Sequence, residues 1–333
     1  MIEPYRRRIF ERALDTFDET GRPQYNEVLC GRAKKNWKSA DLVLAALFKL
    51  VANDDPGGNQ CYILANDEGQ AGDDLSLAKK IREASPILTD RLIVRQKSLE
   101  RADGRGALTI LPAQDAVGTH GKTFLFVGFD EIHGYKTWAI LEAMQRDPSR
   151  QHALTWITSY ASIFHRPGIP LFDKYTRGRK GDDPRFLFSW YAADFTTDPD
   201  FADAEPEAKA NPSRAMGGDP EYLEEQRGRI PAHLFRRLHL NLPGLPEGSA
   251  FAYESIVAAV DEKVKVRLPE PGRVYRAFVD MSGGSDDDAT LAIGYPDDGN
   301  AVIARVENQG QPPPFNPRHA VERFARLCRE YGV

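Results

Sequence analysis

The feature that most constrains this chain is the segment KTFLFVGFDEIHGY, residues 122–135. Residues 123–129 are apolar without alternation, the signature of a strand covered on both faces, as in a parallel sheet flanked by helices. The run then stops at two adjacent carboxylates, Asp130 and Glu131. A carboxylate pair at the exit of a buried strand belongs at the carboxyl edge of the sheet, where α/β proteins bind ligands.

The rest of the chain reads consistently with such a sheet. Residues 27–30, 60–65, 92–95, 108–111 and 154–158 form short apolar runs, while 39–51 and 69–84 carry helical patterns, with Pro86 close behind to stop the second. Strands alternating with helices predict an α/β domain with a mostly parallel sheet over residues 1–195. Residues 196–272 are richer in Pro, Gly and Asp, with helical pieces at 220–229 and 232–239, and read as a small linker subdomain. Strand patterns return at 275–281, 289–295 and 301–306, followed by a helix over 318–331. Residues 273–333 thus read as the opening of a second α/β domain, and about 60 residues is marginal for a domain on its own. The expectation is that this domain is incomplete.

Composition narrows the function classes. Of 333 residues, 41% are hydrophobic and 28% charged, which is ordinary for a globular protein. The start MIEPYRRRIF lacks the apolar core of a signal peptide, and the run 42–50 is too short to span a bilayer. No membrane association is expected. Cys30, Cys61 and Cys328 are few and distant, so neither a disulfide framework nor a zinc knuckle is implied. A net charge of −5 argues against coating nucleic acid by bulk electrostatics, so any DNA contact must be local. Arg6-Arg7-Arg8 and Arg177-Gly178-Arg179-Lys180 are candidate patches, although short charge runs are commonly just solvated faces.

The segment EVLCGRAKKNWKSADLVLAAL has the strand, loop and helix order of a phosphate-binding loop. Gly31 opens the loop, Lys38 would neutralise outer phosphate oxygens, and the Ser39 hydroxyl would hold Mg²⁺ at the helix start. Five residues rather than four follow Gly31, and Trp37 stands where glycine is usual. A basic surface turn would account for this loop equally well if it stood alone. Some 90 residues on, Asp130 would hold Mg²⁺ through water and Glu131 would orient or deprotonate an attacking water. Thr158-Ser159, at the end of a further strand, either sense the γ-phosphate or cap the following turn. His120 and His133 flank the acidic strand without metal-ligand spacing and read as loop residues.

Four segments in this order, GRAKKNWKS, ANDEGQAGDDL with its Gln70-Ala71 pair, HGKTFLFVGFDEIH and TWITSYAS, resemble the large terminase subunit of tailed phages. FRRLHLNLPG resembles the exit from that family's ATPase domain, and AFVDMSGGSDDDATLAIGY resembles the first strand pair of its RNase H-like nuclease. The resemblance implies an ATPase that drives double-stranded DNA into a procapsid as a homo-oligomeric ring on the portal protein. It also implies a terminase small subunit as partner, a monomer when free, and work in the host cytoplasm. ATP and Mg²⁺ follow as cofactors. By match, Lys38 and Ser39 take the phosphate and metal roles, Asp130 and Glu131 the acidic ones, and Thr158 and Ser159 the coupling role, with Gln70 beside the nucleotide. In the nuclease part, which would use Mg²⁺ or Mn²⁺ if complete, Asp280 matches the first metal ligand, and the family's endonuclease activity is expected to be absent from this chain. Asp286, Asp287 and Asp288 follow it; Asp287 could be a further ligand, and a solvated turn accounts for each of them as well.

Overall fold

The computed structural model describes residues 2–112, 121–217, 219, 221–244, 253–261, 263–285 and 287–333. Contacts divide the chain into two compact units, Met1–Ser249 and Ala250–Val333.

The first unit opens with helix α1 (Pro4–Leu14), strand β1 (Glu27–Gly31), helix α2 (Lys38–Ala52), β2 (Asn59–Ala65) and α3 (Glu68–Glu83). There follow α4 (Pro86–Arg91), β3 (Leu92–Val94), β4 (Ser98–Arg101), β5 (Gly106–Pro112), β6 (Phe126–Phe129), α5 (Ala139–Ala143), β7 (Leu154–Ser159), α6 (Pro170–Lys180) and β8 (Phe186–Trp190). Pro86 does lie just past α3, but it also occupies the first turn of α4, where its missing N–H costs nothing. Four short helices close the unit: α7 (Pro206–Ala210), α8 (Pro212–Ala215), α9 (Tyr222–Arg229) and α10 (Ala232–His239).

The eight strands form one sheet in the order β3-β4-β5-β2-β6-β7-β1-β8. Six run parallel, from β5 to β8, and β3 and β4 add an antiparallel edge. The unpatterned apolar runs are explained by this arrangement. β6 is buried at every position, with Phe126 facing one core cluster and Val127 and Phe129 the other. Helix α2 lays Leu42, Val43, Ala46 and Leu50 against the sheet. It comes so close that a Cβ on Gly128 would meet Leu42 Cδ1 at 2.6 Å, so β6 has glycine there. The order β2-β6-β7-β1 sets four carboxyl ends side by side, which is what positions the site described below.

The second unit contains helix α11 (Tyr253–Ala259), an antiparallel sheet of β9 (Arg276–Asp280), β10 (Thr290–Asp297) and β11 (Asn300–Asn308), and helix α12 (Pro317–Glu330). Its order is β11-β10-β9. Ala320, Phe324 and Leu327 of α12 share a core with Leu291, Ile293 and Tyr295 of β10. Every residue of β9 is exposed. No helix among the described residues is long and apolar enough to cross a membrane.

Candidate nucleotide site

The loop between β1 and α2 is shaped by packing from its first residue. Gly31 ends β1 in a buried position, and an added Cβ would sit 1.9 Å from the Trp190 ring. Its lack of a side chain thus serves the β1–β8 contact. The loop then turns through Lys35 (φ 66°) and Trp37 (φ 63°), both left-handed. Trp37 is the N-cap of α2. A non-glycine residue there costs roughly 1–2 kcal/mol, and surrounding contacts must hold it. The Arg6 guanidinium, 5.3 Å from the Trp37 ring, is one of them. Arg6 is itself fixed to Asp41 in the first turn of α2, at 2.6 Å. Asp41 also pairs at 2.5 Å with Arg32, a loop residue that is almost wholly buried.

Asp130 is the hub of the site. It is fully buried just beyond β6, and its backbone N–H donates to the Leu64 carbonyl of β2 at 2.9 Å. Its carboxylate accepts from Ser39 Oγ at 2.8 Å, from Gln70 Nε2 at 2.8 Å and from the Thr158 hydroxyl. Four elements therefore converge on one carboxylate: α2, α3, β6 and β7. Burial, and then the Glu131 charge, push the Asp130 carboxyl above its usual range, while the Thr158 and Ser39 hydrogen bonds pull it down. Hydroxyl and carboxylate oxygens side by side at a helix start are the donors a hard cation takes, so these residues fit Mg²⁺.

Glu131 follows in a left-handed conformation, φ 56°. Its carboxylate lies 3.6 Å from Lys38 Nζ and 3.1 Å from His133 Nδ1. Burial raises its pKa, but Lys38 and His133 outweigh that, and the net shift is downward. Lys38 is buried and shifted down by that burial, against the pull of Glu131. Its ammonium also donates to the Ala33 carbonyl at 3.2 Å, which curls the loop around it. Glu131 is thus held ionised beside the buried Lys38.

Ser159 is buried beside these groups, but its hydroxyl donates to the Tyr160 carbonyl at 2.9 Å and not to Asp130. Asp280 ends β9 and is exposed, as is Asp287 after it. Asp286 and His120 lie outside the described residues. Among the described residues no three His, Cys, Asp or Glu side chains gather as a metal site.

Several residues at the site carry no sequence signal. Asn66 donates to the Glu131 carbonyl at 2.9 Å and fixes its turn. Asp74, inside α3, is buried, and burial followed by the Asp130 charge pushes its carboxyl to about 8. Helices α7 to α10 brace the loop. The Lys34 N–H donates to the Leu238 carbonyl at 2.7 Å, and Asn36 Nδ2 to Asn211 Oδ1 at 3.0 Å. Asn241, just past α10, accepts from the Ala161 N–H at 2.7 Å. Such single asparagines look ordinary in sequence, because their partners lie 80 or 175 residues away.

No family model matches the sequence, and no curated protein matches it significantly. Solved structures do match. The large terminase of bacteriophage HK97 superposes with a TM-score of 0.59 at 21% identity, over 91% of this chain and 62% of that one. The large terminase of a thermophilic bacteriophage gives 0.51 at 11% identity, over 99% of this chain and 74% of that one. A crystal of the same thermophilic phage protein in complex with ATP-γ-S gives 0.50 at 11% identity, over 99% and 73%. The chain thus spans less than two thirds of the HK97 protein's length. At these identities the likeness concerns the path of the backbone, and the chain has the fold of phage large terminases.

Proposed function

We propose that this chain is the ATP-hydrolysing motor portion of a phage large terminase, driving double-stranded DNA into a procapsid. The observation that carries the reading is the convergence on Asp130 of Ser39, Gln70 and Thr158, with Glu131 paired to Lys38 beside it. The terminase fold supports it, and the thermophilic phage protein of that fold binds ATP-γ-S.

In this reading Lys38 leaves Glu131 for the outer phosphate oxygens, and its buried charge offsets the charge that builds there. Ser39 and Asp130 would hold Mg²⁺, which when bound would neutralise the phosphate oxygens. Glu131, freed from Lys38, accepts the proton of a water attacking the γ-phosphorus, so that ATP and water give ADP and phosphate. Gln70 and Thr158 keep the Asp130 carboxylate aimed, and Thr158 and Ser159 pass the change to the segment that follows β7. Gly31 opens the loop, its missing side chain leaving room for Trp190. Portal protein, terminase small subunit and a homo-oligomeric ring on the portal belong to the same proposal, as does a free monomer in the host cytoplasm. Residues 1–195 are the proposed ATPase domain, 196–272 its linker subdomain, and 273–333 part of an RNase H-like nuclease domain. There Asp280 and Asp287 are proposed ligands for Mg²⁺ or Mn²⁺.

The test is ATP hydrolysis by the purified chain, with and without double-stranded DNA. Lys38→Ala and Glu131→Gln are expected to lower kcat by about a hundredfold or more, a few kcal/mol of barrier. Glu131→Gln should still bind ATP, because its role lies in the chemistry. Hydrolysis by either variant within a few-fold of the parent would remove these residues from the site.

A further inference from the structure

Helix α10 carries a cation that the chemistry of the site has not yet used. Tyr160, directly after β7, presents a buried ring to three groups. Lys38 Nζ lies 5.3 Å from its centroid, the His133 ring 3.9 Å, and the Arg237 guanidinium carbon 5.5 Å. Arg237 thus sits one ring away from the phosphate-loop lysine and from the histidine that contacts Glu131. The next residue along, Leu238, accepts the Lys34 N–H, so α10 is fastened to the loop itself at this point.

The charges around Arg237 differ from those around the buried cations near the site. Lys38 has Glu131, and Arg32 and Arg6 share Asp41. Among the described residues Arg237 makes no ion pair, and its Nε is buried without a hydrogen-bond partner. A buried guanidinium N–H left unpaired is costly, and an anion is its natural complement. The Tyr160 side chain supports this cation and its hydroxyl takes one guanidinium hydrogen bond, while Nε stays without a partner.

We propose that Arg237 binds the terminal phosphate of the nucleotide in the same chain and so makes α10 a sensor for the γ-phosphate. This deepens the ATPase reading and rests on it. With a triphosphate bound, the guanidinium donates to a γ-oxygen beside the Tyr160 ring. After hydrolysis and phosphate release that contact is gone, and α10 is held to the loop by the Lys34–Leu238 bond and the asparagine braces alone. The release of a helix fastened to the loop is a direct route from phosphate chemistry to movement of the α7–α10 segment.

The experiment measures equilibrium binding of Mg-ATP-γ-S and Mg-ADP to the full chain and to Arg237→Ala, Arg237→Lys and Lys38→Ala. Arg237→Ala is expected to weaken ATP-γ-S binding about tenfold or more, in line with loss of a charge-assisted hydrogen bond. ADP binding should change less than about threefold, and Arg237→Lys should recover part of the loss. A merely structural role would weaken both ligands alike, and that result would overturn the proposal, as would an unchanged preference. If the parent bound neither nucleotide, the ATPase reading would fall and this one with it. If the parent and Arg237→Ala prefer the triphosphate equally while Lys38→Ala loses it, the ATPase reading stands and the Arg237 role alone fails. Circular dichroism melts of each variant separate loss of fold from loss of ligand.

Discussion

Trp37 is the residue at which the sequence departs most from an ordinary phosphate loop, and its backbone takes the left-handed conformation that glycine would take freely. The loop geometry is therefore set by what surrounds it, with Arg6 against the ring and Asp41 holding Arg6. Trp37→Gly would remove about 1–2 kcal/mol of backbone penalty. It would also add chain entropy of roughly 0.5–1 kcal/mol and lose a cation–π contact of similar size. These terms nearly cancel, so the melting temperature should move by only a few degrees. Trp37→Val keeps the penalty and adds a branched Cβ that resists positive φ. Its melting temperature should fall clearly below both others, and a Val variant as stable as the Gly variant would show that the left-handed turn is absent in solution. Glu131, also left-handed, could not be read that way from sequence, because the Asn66 side chain that fixes its turn comes from another strand's end.

At the scale of elements, α10 carries a pH dependence. His239 is buried at its end between the Tyr222 and Phe235 rings, with Nδ1 unpartnered and its carbonyl accepting from Asn211. Burial, and then the Arg214 and Lys34 charges, lower its pKa to about 4. The folded state thus prefers the neutral ring. Its contribution is fully present above the unfolded value near 6.5 and is lost as pH falls towards 4, on the order of 2 kcal/mol. Melting temperatures of the parent should drop more between pH 7.5 and 4.5 than those of His239→Gln, and equal drops would mean that His239 titrates normally. The helix itself was legible, since residues 232–239 carry a helical pattern, and β1, β2, β6 and β7 were legible as short apolar runs. Strand β8 was not legible, nor was β4, a four-residue strand between β3 and β5 whose SLER buries only Leu99. The role of α7 to α10 as a brace was hidden as well. It depends on backbone carbonyls such as that of Leu238, which every residue type offers equally.

At the scale of the whole molecule, the side chains of the proposed nucleotide site come from the first unit, and the candidate nuclease carboxylates come from the second. Asp280 belongs to the second unit. It stands exposed at the end of β9, paired in register with Thr290. Phosphodiester hydrolysis by divalent ions needs carboxylates that converge on the metal, so removing a strand-borne ligand should abolish any cutting that depends on it. Hydrolysis of ATP should be indifferent to the same change. The expected outcome for Asp280→Ala is therefore a split result: ATP turnover within about twofold of the parent, and loss of whatever Mn²⁺-dependent plasmid cutting the parent shows. Both readings come from one preparation, so a folding defect would be seen as a fall in ATP turnover and in the cooperativity of melting. Cutting that persists in the variant would remove Asp280 from the metal site. A several-fold loss of ATP turnover in a well-folded variant would instead show that the second unit contributes to the motor's chemistry, and the assignment of the nucleotide site to the first unit alone would have to be given up.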